Sequence, residues 1–178
     1  ARLPMSPSWL KVGSPISYSI VMQPSGQSWL FALDTAESSL SGVRQMSDFR
    51  LENNRPVFQN LLYQVQSWPA AIRQLVLPAD VAQRTLQLPE EGDPRSRSWA
   101  RQLRQENADP QSLVSAMLRH FADEPYGYTL KPPPVGRNSI DDFLFRTRKG
   151  FCAHYAGAMV FVLRAAGIPS RVVAGYQG

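Results

Sequence analysis

Cysteine is almost missing from this chain: its 178 residues contain one, Cys152. An intrachain disulfide is therefore excluded, and composition does not choose between a reducing and an oxidising compartment. Histidine is nearly as scarce, with only His120 and His154, and neither a metal nor another cofactor is expected. Long apolar runs are missing as well. The longest, Ala156 to Leu163, falls far short of the roughly 18 residues a membrane helix needs, and no basic segment leads into an apolar one at the N-terminus. The chain as it stands is expected to be soluble. Charge is modest and mixed: 19% of residues are charged, 43% are hydrophobic, and the formal net charge is +5. The basic residues are dispersed among acids, as in Arg95 to Arg104 followed by Glu106 and Asp109, so solvated faces account for them and no nucleic-acid partner is expected. The composition is that of a folded protein long enough for one good core or two small ones.

What the chain does have is concentrated in its last stretch, Gly150 to Gly178. From Cys152 to Ala166 only His154 and Arg164 are strongly polar, which predicts a helix that is apolar on nearly every face and buried. Gly167 is placed to end it in the left-handed conformation, Pro169 prevents its continuation, and Val172, Val173 and Tyr176 follow as a strand-like run. Cys152 falls in the first turn, where unpaired N–H groups and the macrodipole favour a negative charge. The basic run Arg146, Arg148, Lys149 supplies further surroundings that favour a thiolate. The plainer alternative is a small core residue, since a free cysteine packs well in apolar helices.

The first half reads differently. Ile16, Tyr18, Ile20 and Met22 alternate with Ser17, Ser19 and Val21, and Gln23 to Gly26 offers a turn before a returning strand over Trp29 to Leu33. A second pair is predicted from Gly42–Leu51 and Leu61–Trp68, joined through Asn53-Asn54-Arg55-Pro56. Residues 1–88 are thus expected to form an antiparallel β-rich domain of scaffolding or recognition type, with Ala70 to Leu88 as a proline-punctuated connector. Residues 89–178 form the second domain. Asp93-Pro94 and Asp109-Pro110 each place an N-cap aspartate before a proline at the first helical position. The first of these helices is mostly polar, anchored by Trp99 and Leu103. In the second, Leu113, Val114, Met117, Leu118 and Phe121 define one buried face. An irregular proline-rich segment from Tyr126 to Asn138 has the character of a cleft-shaping loop, and Ser139 caps a short helix in which Asp141 and Asp142 serve the helix start.

The run from Asp142 through FLFRTRKGFCAHYA and LRAAGIPSRVVAGY resembles the transglutaminase-like cysteine enzymes. The resemblance combines Gly-x-Cys, Tyr155-Ala156, Leu163-Arg164-Ala165, Gly167-Ile168-Pro169, Arg171 and Gly175-Tyr176. More closely it resembles the bacterial membrane-anchored, periplasmic protein-glutamine gamma-glutamyltransferases, whose soluble part also begins with a β-rich domain. It implies an α+β fold in which an N-terminal antiparallel β domain precedes the helical first half of a papain-like core. It implies further that Cys152 is the nucleophile, forming a thioester from a protein glutamine and passing it to a lysine, another amine or water. The partners are then protein or peptide substrates, the place is the periplasmic region of a bacterial inner-membrane protein, and the parent is membrane-anchored.

Such a nucleophile needs a base and a group to orient it. His154 lies two residues beyond Cys152, about 200° around the helix, and His120 flanks an apolar stripe as a surface or boundary residue, so neither is favoured. The resemblance places the histidine and aspartate downstream of Gly-Tyr, beyond Gly178, in the remaining half of the core. This chain alone is therefore expected to be inactive. Where the family would polarise the substrate carbonyl from the segment Tyr126 to Leu130, this sequence has no tryptophan, and Tyr128 stands in as oxyanion or substrate-binding candidate beside the Cys152 N–H. Rival readings are a cysteine peptidase or peptidoglycan amidase, which would use the same nucleophile, and a non-catalytic adaptor.

Overall fold

The computed structural model describes residues 7–73 and 77–175, arranged in two compact units, Ala1–Leu77 and Pro78–Gly178. In the first, alternation of apolar and polar residues produces short strands: β1 (Trp9–Leu10), β2 (Ile16–Met22), β3 (Trp29–Leu30), β4 (Ala36–Ser38), β5 (Val43–Gln45), β6 (Leu51–Asn53), β7 (Leu61–Ser67) and β8 (Ile72–Arg73). They pair antiparallel as β2-β7-β4, β3-β6-β5 and β1-β8. The two three-stranded sheets enclose one core of Met22, Leu30, Ala36, Leu51, Val57, Tyr63 and Val65.

β2 and β7 match the strands the periodicity predicts, the strand expected over 29–33 is shortened to β3, β4 was not foreseen, and the partners differ throughout. β2 does not form a hairpin with the strand that follows it; it pairs along all seven residues with β7, from Ile16↔Ser67 to Met22↔Leu61. Tyr18, Ile20 and Met22 thereby share the core face with Tyr63 and Val65, a register in which the two longest alternating runs bury together. The turn at Ser25-Gly26 is bound to the Val57 carbonyl, at 3.0 and 2.9 Å. The predicted pair Gly42–Leu51 with Leu61–Trp68 is also replaced. Phe49, at φ +70, folds 46–50 into a turn closed by Met46 N–H donating to Arg50 O at 2.9 Å, and β5 pairs with β6. Two phenols tie the layers: Tyr18 Oη accepts from Leu33 N–H at 2.7 Å, and Tyr63 donates to Phe31 O at 2.8 Å. Burial pushes the Tyr63 phenol up to about 12.

The second unit contains α1 (Ala79–Thr85), α2 (Pro94–Glu106), α3 (Pro110–Asp123), β9 (Gly127–Tyr128), α4 (Ser139–Asp141), a π-helical turn (Asp142–Thr147), β10 (Lys149–Gly150) and α5 (Cys152–Ala165). The expected connector over 70–88 is therefore not structureless: β8 and α1 lie within it. Helix α1 escaped the periodicity because it buries no residue. The core joins Ala100 and Leu103 of α2, Leu113 and Met117 of α3, Phe143 and Leu144 of the π-turn, and Ala158, Val162 and Leu163 of α5. Leu118 does not belong to the buried face of α3; it is exposed. Helix α5 is fully buried at Ala158, Phe161, Val162 and Leu163, exposed only at Cys152 and Ala153 and half-buried elsewhere, so the expected burial holds for its body and fails at its first turn. Gly167 ends it at φ +78, with Ile168 N–H donating to Leu163 O at 2.8 Å. The predicted strand beyond is absent from the described residues: Val172 and Val173 are exposed and belong to no strand, and Tyr176 lies outside the described residues.

Candidate active site

Helix α5 begins at Cys152, which is exposed although the same helix supplies the core of its unit. Phe151 is the N-cap in an extended conformation. Its carbonyl accepts from His154 N–H at 2.8 Å, and its N–H donates to His154 Nδ1 at 3.3 Å. His154 is thus committed to the helix start, with its ring against Phe151 at 4.5 Å and Phe143 at 5.6 Å. The Cys152 and Ala153 N–H groups have no partner among the described residues, as first-turn donors are free to take an anion. Gly150 explains the glycine of Gly-x-Cys. A Cβ there would lie 2.7 Å from both Cβ and Cγ of His154, so the cap and the glycine require each other.

Strand β10, which delivers the chain to Cys152, lies parallel to β9 with Lys149↔Gly127 and Gly150↔Tyr128. Gly127 N–H donates to Arg148 O and Thr129 N–H to Gly150 O, both at 2.8 Å. The pairing sets Tyr128 directly beside the approach to Cys152, and its side chain is 66% exposed. Tyr126, one residue before β9, donates through its hydroxyl to Leu144 O in the π-turn at 2.9 Å. That leaves its lone pair for His120 Nε2, 3.0 Å away, so His120 carries its proton on Nε2. The imidazole packs against Trp99 at 4.6 Å, the two rings tilted by 50°. His120 is thus half-buried, a boundary residue as the sequence suggested, and it joins an aromatic cluster of Trp99, Phe121, Tyr126, Phe143 and Tyr155. Desolvation holds His120 below its ordinary value despite Glu124 nearby, and burial pushes Tyr126 up to about 12. The structure pairs Tyr128 with Gly150, two residues before Cys152, and directs both histidines to structural partners.

The basic run before the cysteine is largely neutralised by its own neighbours. Arg146 Nε meets Asp142 at 2.7 Å, and Arg148 reaches Glu124 at 2.6 Å; of the three cations in this run, Lys149 has no carboxylate partner among the described residues. Asp142 also accepts from Gly136 N–H at 2.7 Å. The Arg146 guanidinium and that N–H hold its carboxyl down to about 2. Asp141 takes a task the sequence did not reveal. It accepts from Arg95 N–H at 3.0 Å and Ser96 N–H at 2.7 Å, capping α2 from 45 residues away. In return Asp93, at φ +50, accepts from Ile140 and Asp141 N–H at 2.9 and 3.0 Å. Asp93 thus occupies its predicted N-cap position but caps the other helix, whereas Asp109 caps its own through Ser112 N–H at 2.9 Å. Among the described residues no cluster of three or more His, Cys, Asp or Glu could hold a metal, and no helix is long and apolar enough to cross a membrane.

Comparison with known proteins joins this geometry to a family. Residues 97–178 match the transglutaminase-like superfamily, and residues 2–74 match the TgpA N-terminal domain. Residues 97–178 belong to the transglutaminase-like superfamily. It is 57% identical, over 170 residues, to the protein-glutamine gamma-glutamyltransferase of Pseudomonas aeruginosa, covering 96% of this chain and 25% of that protein. Two crystal structures of the periplasmic domain of TgpA from Pseudomonas aeruginosa superpose on it. One, bound to ethylmercury, does so with TM-score 0.91 at 55% identity over 100% of this chain and 64% of the other; the second has TM-score 0.87 at 57% identity over 96% and 59%. The chain thus spans a quarter of the curated relative and about 60% of the crystallised domain. The transglutaminase-like part is the second unit, whose α+β arrangement presents the exposed cysteine.

Proposed function

We propose that this chain is the nucleophile-bearing part of a protein-glutamine acyltransferase in the periplasmic region of a membrane-anchored parent. The observation that carries the reading is the placement of the only thiol, exposed at the first residue of a core helix beside two unpartnered N–H groups. The name of the 57% identical Pseudomonas relative supports it.

In the proposed reaction the Cys152 thiolate attacks the carboxamide carbon of a glutamine side chain. The developing oxyanion is met by the Cys152 N–H, with Tyr128 at the edge of the site. Collapse breaks the C–N bond, and ammonia leaves with a proton from the base, giving a thioester. A primary amine then attacks, loses a proton to the same base and displaces the thiolate; water in its place yields glutamate. His154 and His120 are engaged with Phe151 and Tyr126, so the base and its orienting carboxylate are assigned to the parent outside residues 1–178.

The test compares dansylcadaverine incorporation into casein by this chain, the parent's full periplasmic region and its Cys152→Ala variant. Activity is expected in the periplasmic region alone, with a fall on the order of 10⁴-fold or more in the variant. Activity that survives Cys152→Ala would sink the nucleophile assignment, and full turnover by this chain would return His120 or His154 as base. Ethylmercury should add once per chain and not at all to Cys152→Ala.

A further inference from the structure

The helix that carries Cys152 is capped from within. Its N-cap, Phe151, is extended at φ −118 and ψ −177 and offers the first turn no side-chain acceptor, where serine, threonine, aspartate or asparagine is the common choice. The bond runs the other way. Phe151 N–H donates to Nδ1 of His154 at 3.3 Å, the reach-back that glutamate or glutamine makes from the third helical position in a capping box. His154 N–H returns to Phe151 O at 2.8 Å. Phe151 and His154 are thus tied twice, and the two residues inside the tie are Cys152 and Ala153. The imidazole is itself anchored, edge-on to Phe151 with ring centroids 4.5 Å apart and tilted against Phe143 at 5.6 Å. Phe143 is 1% exposed, and the missing Cβ of Gly150 leaves the space beside the His154 ring. All of these partners lie between Phe143 and His154, so the tie is complete within 143–154.

We propose that His154 is a positioning residue for the Cys152 thiol, acting through the main chain: its Nδ1 lone pair closes the first turn of α5 and holds the thiol and the Cys152 N–H in one orientation. The closed loop fixes the peptide planes on either side of Cys152, and with them the direction of its Cα–Cβ bond and of an N–H that has no partner among the described residues. An Nδ1 that accepts is unprotonated, so the neutral ring carries its proton on Nε2. The choice of imidazole has a physical reason. A glutamate in its place would make the same bond but set a carboxylate within one turn of the thiolate, and like charges at that range disfavour the ionised thiol. Histidine supplies the acceptor without the charge. In this role His154 exchanges no proton with the thiol, and the base stays outside residues 1–178, in keeping with the acyltransferase reading on which the kinetic part of the inference rests.

The test separates the acceptor from the ring in the parent's full periplasmic region. His154→Phe keeps an aromatic ring beside Phe143 and Phe151 and removes the acceptor; His154→Gln keeps an acceptor of the capping-box type and removes the ring. In His154→Phe, kcat for dansylcadaverine incorporation should fall about tenfold or more with KM within about twofold, because a misdirected nucleophile slows the chemical step. Alkylation of Cys152 by iodoacetamide should slow with it. His154→Gln should restore most of both rates, and NMR of the ring nitrogens in the wild type should show His154 neutral with its proton on Nε2. A Phe variant as fast as the wild type, a proton on Nδ1, or a Gln variant as slow as the Phe variant would overturn the positioning role, the last by pointing to the ring itself or to proton transfer. If the Phe variant does not fold, the Gln variant and the tautomer decide. Should even the wild type incorporate no amine, the acyltransferase reading fails, and the alkylation rates then decide alone: wild type and Gln above Phe upholds the tie, and equal rates overturn it.

Discussion

The two units solve the problem of burial in opposite ways. The first is made of strands whose inward residues are mainly apolar, with β2 and β7 paired across 39 to 51 residues of sequence. Its polar work is limited to layer ties such as Tyr18 and Tyr63. The second buries a comparable apolar core but threads it with polar devices: the reciprocal caps of Asp93 and Asp141, the chain from His120 through Tyr126 to Leu144 O, and the His154 cap over Gly150. The lesson is where precision is required. On the acyltransferase reading proposed above the Cys152 thiol must be held in place, and hydrogen bonds with one geometry hold it better than apolar contacts with many.

The contrast can be broken most forcefully in the first unit. Leu51 is 2% exposed among both sheets, so Leu51→Ala should cost that unit about 2–5 kcal/mol. Hydrogen exchange resolved by segment should show faster opening over 16–67, while alkylation of Cys152 by iodoacetamide keeps its rate. A changed alkylation rate would mean the units are energetically coupled.

Gly150→Ala should reverse the pattern. The new Cβ meets His154 at 2.7 Å, so cap and strand must part, at a cost of about 1–3 kcal/mol confined to the second unit. The alkylation rate should change with it. Unchanged stability and rate would show that the His154 cap is dispensable.

Asp141→Ala sharpens the point at smaller scale. It deprives Arg95 and Ser96 N–H groups of their acceptor and should cost about 1 kcal/mol, read as lowered protection at the start of α2. An equal loss from Asp142→Ala would contradict the assignment, because Asp142 is tied to the exposed Arg146 and to Gly136.

The smallest effect is in pH. Folding favours the neutral His120 ring, so its contribution is complete above about pH 6.5 and is lost as pH falls below that value. Both histidines lie in the second unit, so weakening that begins near pH 6.5 should appear there alone and flatten in His120→Gln. Above pH 10 the units should weaken together, because Tyr63 and Tyr126 are both raised to about 12 and ionise more readily unfolded. A weakening of the first unit between pH 5 and 6.5 would break the distinction.

Much of this was legible from residues alone. The seven residues of β2, the start of α2 and α3 at Pro94 and Pro110, the end of α5 before Gly167 and the place of Cys152 at its first turn all follow from local rules. Periodicity, proline geometry and capping act within a few residues, which is the range a sequence displays directly. Helix α1 and the π-turn were not legible, the first because it carries no buried stripe and the second because nothing local marks it.

The sequence by itself determined the inward side of β2 from Tyr18 to Met22, where α2 and α3 begin and that one thiol sits at a helix start. Only the tertiary structure decided that β2 pairs with β7, that Asp93 and Asp141 exchange caps, that His120 belongs to Tyr126 and that Arg146 and Arg148 are taken by Asp142 and Glu124. The physical reason is that pairing is a choice among competitors. Any alternating strand can match several others, and a carboxylate or imidazole will bond whichever donor the packed core brings within about 3 Å.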